Sequence, residues 1–175
     1  MGSGKSTVGA RLAKRLGANF ADADVEIERA AGMTIPEIFE RLGEAEFRDG
    51  ERRVIARLMS EGPMVLATGG GAFMAAETRE AIAANGAAVW IDADLDTLVR
   101  RTSRRNTRPL LARGDPREIL AGLMQERYPV YAGAPIKVLS SDDVTAEVVA
   151  GSVLDAIRAF DASAPADQRL LEAGA

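Results

Sequence analysis

Apolar positions recur every three or four residues over several stretches of the chain, and short apolar runs separate these stretches. Val8, Leu12 and Leu16 form one such stripe in "STVGARLAKRLG", and the glycine that follows is a stop signal, so the pattern predicts a first helix. Thr34 and Glu37 have the spacing of a capping box at the start of a helix in "MTIPEIFERLG". Further helices are predicted in "EAEFRDGERRVIARLMSEG", "AAETREAIAANG", "LDTLVRRTSRR", "PREILAGLMQERYPVYAGAP", ending near Pro129, and "TAEVVAGSVLDAIRAF".

The short apolar runs between these helices predict strands. They lie in "ANFAD", "PMVLATGGG", "AAVWIDAD" and "IKVLS". Strands that alternate with helices predict an α/β protein with a parallel sheet, covered by helices on both faces. In such sheets ligands bind at the carboxyl ends of the strands, so residues that follow the strands are the first candidates for a site.

The opening "MGSGKST" contains the second half of a phosphate-binding P-loop, Gly-x-x-x-x-Gly-Lys-Ser/Thr. Backbone N–H groups of such a loop surround phosphates at the start of a helix, and glycines allow the phosphate to come close. We expect Lys5 to contact the β- and γ-phosphates and the Ser6 hydroxyl to bind Mg²⁺. The alternative is a flexible start that carries one lysine, but a helix begins where the motif requires it.

A whole P-loop also has a first glycine and a buried strand before it, and both would lie upstream of Met1. Such a strand belongs in the middle of the sheet, so without it two neighbouring strands lose ladder partners. We expect the natural start to lie upstream. The alternative is that the protein starts at Met1 and is poorly folded or weakly active.

Two more clusters follow predicted strands. Asp22 and Asp24 are two residues apart, so on an extended segment both carboxylates would face the same side. One carboxylate could then hold a metal-bound water and the other a substrate hydroxyl. The alternative is that one of them caps the helix that follows. Three glycines, Gly69–Gly71, exceed what a simple turn needs, and they predict backbone amides that contact a ligand directly.

Composition narrows the chemistry. A length of 175 residues fits one globular domain. The net charge of −4 argues against a protein that binds nucleic acid through bulk charge. The apolar runs are too short to span a bilayer. Cysteine and histidine are absent, so thiolate sites and the commonest general base are excluded, and any metal should be an oxygen-bound ion such as Mg²⁺.

Several arginines lie beside turns or helix ends, where a guanidinium can bind a carboxylate or phosphate with two N–H groups. Arg48 in "EFRDGE" and Arg127 in "QERYPVY" are near predicted helix ends. Arg108 in "RRNTRPLL" fits a lid that closes over phosphate. Considered alone, Arg101 and Arg104 are predicted to lie on a solvated helix face.

Together these motifs resemble those of the shikimate kinases, a family of small P-loop kinases. The resemblance runs from Met1 to about Phe160 through "GSGKST", "FADADVEIE", "TIPEIFERLGEAEFRDGE", "VLATGGGA", "RNTRPLL" and "ERYPVY". It implies a three-layer α/β/α P-loop kinase fold with a central parallel sheet, whose first, central strand is missing from this chain. It also implies one domain over residues 1–160, with a lid at about 103–117, and a flexible tail over 161–175.

The resemblance implies transfer of the γ-phosphate of ATP to the 3-hydroxyl of shikimate, a step of aromatic amino acid biosynthesis, with Mg²⁺ as cofactor. It further implies a cytoplasmic monomer that binds neither nucleic acid nor membrane. Glu51 resembles the family's acid that orients the substrate arginine, Arg48. By motif, the catalytic residues are Lys5, Asp24 and Arg108; the ATP-binding residues Gly2, Ser3, Gly4, Lys5, Ser6, Thr7, Arg101 and Arg108; the shikimate-binding residues Asp24, Arg48, Gly69, Gly70, Gly71 and Arg127; and the Mg²⁺-binding residues Ser6, directly, and Asp22, through water.

Two other functions stay open at this point. One is another small-metabolite kinase, such as gluconate kinase, although the glycine triplet together with Arg48 and Arg127 favours shikimate. The other is a non-catalytic module that binds nucleotide or shikimate, which the incomplete P-loop suggests. The loop "SSDDVT" departs from the basic or Asn-rich stretch usual in the family, so the adenine pocket at 140–145 is left unassigned.

Overall fold

A computed structural model describes residues 2–103, 114–165 and 169–171. Most of the expected lid, including Arg108, lies outside the described residues, as does Arg104. In the described ranges one or more helices separate each strand from the next, as predicted. The helices are α1 (Lys5–Leu16), α2 (Ala23–Ala31), α3 (Ile35–Arg41), α4 (Gly43–Ser60), α5 (Ala76–Asn85), α6 (Leu95–Ser103), α7 (Pro116–Tyr131) and α8 (Ala146–Ser163), and a short 3₁₀ helix covers Ala72–Met74. The strands are β1 (Asn19–Asp22), β2 (Met64–Ala67), β3 (Val89–Asp92) and β4 (Ile136–Leu139).

The predicted helix ends follow local rules, with one exception. Gly17 ends α1 in the left-handed conformation with φ 63°. The capping box of α3 is formed, since the Thr34 amide donates to Glu37 Oε2 at 2.8 Å and the Glu37 amide donates to Thr34 Oγ1 at 3.4 Å. Helix α7 ends at Tyr131 rather than near Pro129. A proline in the last turn removes a single backbone hydrogen bond, so the helix continues past it.

The strands form two parallel pairs rather than one continuous sheet. β1 pairs with β2 in a register that joins Asn19 to Met64 and Asp22 to Ala67, and β3 pairs with β4. Among the described residues no strand hydrogen-bonds to both pairs, so the strands form two separate two-stranded sheets. The register places the residues that follow β1 next to those that follow β2, as expected for the carboxyl ends of parallel strands.

Helices cover both faces of the β1–β2 pair. Val65 packs against the cluster that α1 shares with α8, which includes Val8 and Leu12. Leu66, the next residue along β2, packs against the cluster between α2, α3 and α4, which includes Phe47 and Leu58. Successive strand residues point to opposite faces, so the strands lie between two helical layers. This is the three-layer α/β/α arrangement expected from the sequence.

The end of α8 is joined to the residues that follow it. The Asp161 carboxylate accepts hydrogen bonds from the backbone amides of Leu170 at 2.8 Å and Leu171 at 2.9 Å. Both leucines pack against the cluster formed by α1 and α8. No helix within the described ranges combines the length and the apolar character that crossing a membrane requires.

Candidate active site

The start of α1 has the backbone shape of a phosphate loop. Gly2 and Gly4 have φ values of 79° and 90°, a backbone region that residues other than glycine rarely adopt. Ser3, which lies between them, is buried. Helix α1 begins at Lys5 with no side-chain cap and no acidic residue in its first turn. The positive end of the helix dipole is therefore open to an anion, which is what the half motif predicts.

The loop rests on α6. A Cβ added at Gly2 would lie 3.0 Å from Thr102 Cγ2 and 3.3 Å from the Leu98 carbonyl oxygen, closer than side chains normally come. Arg101 of the same helix donates a hydrogen bond to the Ser3 carbonyl oxygen at 3.5 Å. Gly2 is thus required both by its backbone conformation and by close packing.

Arg101 also joins α6 to the loop that follows β4. Its guanidinium donates to Ser140 Oγ at 3.0 Å, to the Ser141 carbonyl oxygen at 2.5 Å and to Asp142 Oδ1 at 2.9 Å. The side chain is 22% exposed, so the prediction of a solvated helix face is wrong for Arg101. Its partners come from the segment that the sequence left unassigned, some forty residues further along the chain.

Asp22 caps α2. Its Oδ1 accepts a hydrogen bond from the Asp24 amide at 3.0 Å, and Asp24 lies in the first turn of the helix. The prediction that both aspartates lie on an extended segment is therefore wrong, and the capping alternative is correct for Asp22. The cap satisfies an N–H group that the start of a helix leaves without a partner, and this favours ending the strand at Asp22.

The glycine triplet lies against charged side chains of two helices. A Cβ at Gly69 would lie 2.8 Å from Glu51 Oε1 and 3.1 Å from Asp24 Oδ1, and a Cβ at Gly71 would lie 2.6 Å from Arg48 Cζ. Larger residues would therefore displace the carboxylates and the guanidinium. This is a steric reason for consecutive glycines, in addition to the predicted access of backbone amides to a ligand.

Arg48 and Glu51 form an ion pair on one face of α4. Arg48 Nη1 lies 2.7 Å from Glu51 Oε2, and its Nη2 lies 3.3 Å from Glu44 Oε1. Glu51 is only 3% exposed, and this burial raises the pKa of its carboxyl group although Arg48 opposes the shift. The buried carboxylate orients the guanidinium beside the glycine triplet, as the resemblance predicts for Glu51.

Arg127 projects from α7 toward the same carboxylate. Its positive charge lowers the pKa of Glu51, although less than burial raises it. The Nε atom of Arg127 is buried, and none of the described residues accepts a hydrogen bond from it. A buried N–H group without a partner is costly, so the Arg127 Nε–H is suited to an acceptor other than the residues that the structure describes.

The structure thus brings together residues that the sequence predicted separately. We call them the arginine–glycine cluster: Asp24, Arg48, Glu51, Gly69–Gly71 and Arg127. Sequence reasoning missed Tyr131, whose hydroxyl donates a hydrogen bond to the Gly70 carbonyl oxygen. Its position four residues after Arg127, on one helix face, is the signal that could have identified it.

Replacing Arg48 with alanine should lower the free energy of unfolding by an amount that grows with pH. The variant leaves the Glu51 carboxylate buried without its ion-pair partner, so the pKa of Glu51 rises further above its ordinary value of 4.5. Below that value the carboxyl is protonated in both the folded and unfolded states. As the pH rises, the unfolded chain releases its proton first and the folded state loses stability.

At pH 8 we expect a loss of about 2 kcal/mol, less than for a fully buried pair because Arg48 is 37% exposed. Urea unfolding of wild type and variant at pH 4.5 and pH 8 measures the difference. Arg52→Ala on the same helix, which breaks a surface pair with Asp49, is the matched control. A difference that does not vary with pH would contradict the assignment to Glu51.

Comparisons of the sequence with known proteins identify a family. The family model for shikimate kinase matches residues 1–158. A shikimate kinase of Paramagnetospirillum magneticum is 60% identical over 144 residues, 82% of this chain and 74% of the relative. A shikimate kinase of Brucella canis is 55% identical over 159 residues, 91% of this chain and 79% of the relative.

A solved structure agrees as well. The shikimate kinase from Acinetobacter baumannii, in complex with shikimate, superposes with a TM-score of 0.86 at 40% identity. The match covers 91% of this chain and 89% of that one.

Proposed function

The chain belongs to the shikimate kinase family, and from this membership and its site we infer that it transfers the γ-phosphate of ATP to the 3-hydroxyl of shikimate. The products are shikimate 3-phosphate and ADP. One observation carries the substrate assignment: a buried guanidinium N–H of Arg127, for which no described residue is an acceptor, lies in a cluster with a second, oriented arginine. A carboxylate supplies the acceptors that two such guanidiniums need.

At the shikimate end, we propose that Arg48 and Arg127 bind the substrate carboxylate and that Gly70 contributes a backbone contact. Asp24, which lies against Gly69, would accept a hydrogen bond from the reacting hydroxyl and orient its oxygen toward phosphorus. As the new P–O bond forms, the bond to the ADP oxygen breaks and the hydroxyl proton passes toward Asp24. In a loose transition state the positioning of the hydroxyl contributes more than full deprotonation.

At the ATP end, the proposal assigns the phosphates to the loop before α1. The left-handed glycines and the uncapped start of α1 support this assignment. Lys5 would neutralise charge on the β- and γ-phosphates, and Arg101 would lie against the adenine. Arg108 would approach the phosphates from the lid, a segment outside the described residues. The loop residues assigned to the phosphates are Gly2, Ser3, Gly4, Lys5, Ser6 and Thr7.

The donors available for Mg²⁺ are of the hard oxygen type that this ion prefers. Ser6 is exposed in the first turn of α1, and its hydroxyl would be the direct ligand. Asp22 uses Oδ1 to cap α2, and a carboxylate with two oxygens can also accept from a metal-bound water. When bound, the ion would neutralise phosphate charge during transfer. We also propose a cytoplasmic monomer, as in the expectation from the resemblance.

A substrate panel tests the proposed function. The purified chain is incubated with ATP, Mg²⁺ and either shikimate or gluconate, and ADP release is measured together with ³¹P NMR of the product. Shikimate 3-phosphate should form, and gluconate should give no product above background. Gluconate also carries a carboxylate, so it controls for a merely anion-binding site. Phosphorylation of gluconate alone, or ATP binding without any turnover, would overturn the proposal.

A further inference from the structure

The glycine triplet is attached to α7 by a tyrosine. Tyr131 lies one helical turn beyond Arg127, and its hydroxyl donates a hydrogen bond to the Gly70 carbonyl oxygen. Its ring lies 6.3 Å from that of Phe73, in the short 3₁₀ helix that follows the triplet. Tyr131 therefore contacts the loop at two points, one polar and one apolar.

The three glycine carbonyl groups differ in where their partners come from. The Gly69 carbonyl accepts from the Ala72 amide at 3.2 Å, and the Gly71 carbonyl accepts from the Met74 amide at 3.0 Å. Both of these bonds belong to the local backbone turn. The Gly70 carbonyl instead accepts from the side chain of another helix, so its orientation depends on a residue outside the loop.

That hydrogen bond fixes more than one oxygen atom. The Gly70 carbonyl and the Gly71 N–H belong to the same planar, trans peptide unit, and they point in opposite directions. Glycines have wide backbone freedom, so a triplet without an external contact samples many orientations of this unit. A hydrogen bond from Tyr131 selects one of them. Burial raises the pKa of Tyr131, so the hydroxyl keeps its proton and remains a donor at neutral pH.

We propose that Tyr131 is a positioning residue: by holding the Gly70 carbonyl, it keeps the glycine triplet in the orientation that binds shikimate. The inference rests on the proposed function, because it concerns the same substrate. Since Arg127 and Tyr131 lie on one helix, α7 would set both the carboxylate-binding arginine and the backbone amides in a fixed relation. Tyr131 acts through the loop and is not a catalytic residue.

Tyr131→Phe tests this with Tyr128→Phe as the matched control. Both substitutions remove one hydroxyl from α7, and both rings face Trp90, with centroids 6.1 Å and 5.0 Å away. The Tyr128 hydroxyl donates instead to the carbonyl oxygen of Ala93, the residue directly after β3, at 2.8 Å. The two variants thus differ in whether the glycine triplet loses a contact.

In Tyr131→Phe we expect the shikimate KM, and the shikimate Kd measured by calorimetry, to rise about 5- to 10-fold. The ATP KM should stay unchanged and kcat should change by less than about twofold, because the hydroxyl contacts the glycine triplet and Arg127, both of which are assigned to shikimate. Tyr128→Phe should keep the wild-type shikimate values. Equal shikimate constants in the two variants would overturn the inference.

Hydrogen exchange of the ligand-free proteins separates this inference from the proposed function. Amides of residues 69–72 should exchange faster in Tyr131→Phe than in wild type or in Tyr128→Phe, whatever the substrate proves to be. If wild type fails to phosphorylate shikimate, the proposed function is lost while the exchange result still reports on the loop. Unchanged exchange at 69–72 contradicts the positioning role.

Discussion

Lys5→Ala is expected to lower kcat for shikimate phosphorylation by about 1,000-fold, since a cation placed on the transferring phosphoryl group contributes that much or more in related reactions. Lys5 is the first residue of α1, directly after the left-handed Gly4. Its ammonium group adds to the positive end of the helix dipole at the point where the β- and γ-phosphates would bind. The transition state carries more charge on these oxygens than the ground state, so kcat should fall more than the affinity for ATP.

Lys14→Ala is the matched control for Lys5→Ala. It removes the same charge from the same helix, but from an exposed position in the last turn of α1. Steady-state kinetics with ATP and shikimate should give wild-type values for Lys14→Ala, and calorimetry should give wild-type shikimate affinity for both variants. If Lys5→Ala retains more than about a tenth of kcat, the assignment of the phosphate site to the start of α1 is wrong.

The elements of the fold could be predicted because their signals are local. The capping box of Thr34 and Glu37 and the left-handed Gly17 each act within one helical turn. The meeting of "DAD" with "TGGG" followed from a general rule, since parallel strands bring their carboxyl ends to one edge and Asp22 indeed pairs with Ala67.

The errors came from choices between two local structures of similar energy. Asp24 was predicted on an extended segment, whereas a carboxylate at Asp22 can equally start a helix, and the capped helix is what forms. Helix α7 was predicted to end near Pro129, but a proline in a last turn is tolerated and the helix reaches Tyr131. Because the helix continues for two residues past Pro129, Tyr131 lies one helical turn after Arg127 on the same face.

The contacts that the sequence did not predict join residues far apart in the chain. Arg101 binds Asp142, and Tyr131 binds Gly70, 61 residues away. No periodicity or spacing reports such pairs, because they depend on how the helices are placed on the strands. The sequence also could not predict that Arg127 Nε is buried with no acceptor among the described residues, because the burial of a single atom depends on how the whole chain packs.

Arg127→Ala is expected to raise the shikimate KM about 100-fold, the effect of truncating one partner of a desolvated charge pair. Because Arg127 Nε is buried without an acceptor anywhere in the described ranges, the substitution breaks no hydrogen bond that Nε makes to those residues. The melting temperature should therefore change by only a few degrees. The loss of stability with rising pH should be smaller than in Arg48→Ala, because Arg127 lowers the pKa of Glu51 less than Arg48 does.

Arg127→Lys and Arg117→Ala complete the design for Arg127. The lysine keeps the charge without the Nε–H group, so it should recover less than a tenth of the lost shikimate affinity if the planar guanidinium is what binds. Arg117 lies on the same helix, in an exposed pair with Asp96 at 2.6 Å, and its substitution should leave shikimate KM unchanged. Near-normal shikimate affinity in Arg127→Ala, or full recovery by lysine, would refute a two-point guanidinium contact. A large loss of shikimate affinity in both Arg127→Ala and Arg127→Lys, with the ATP KM unchanged, would support an acceptor on shikimate as the partner of the buried N–H group.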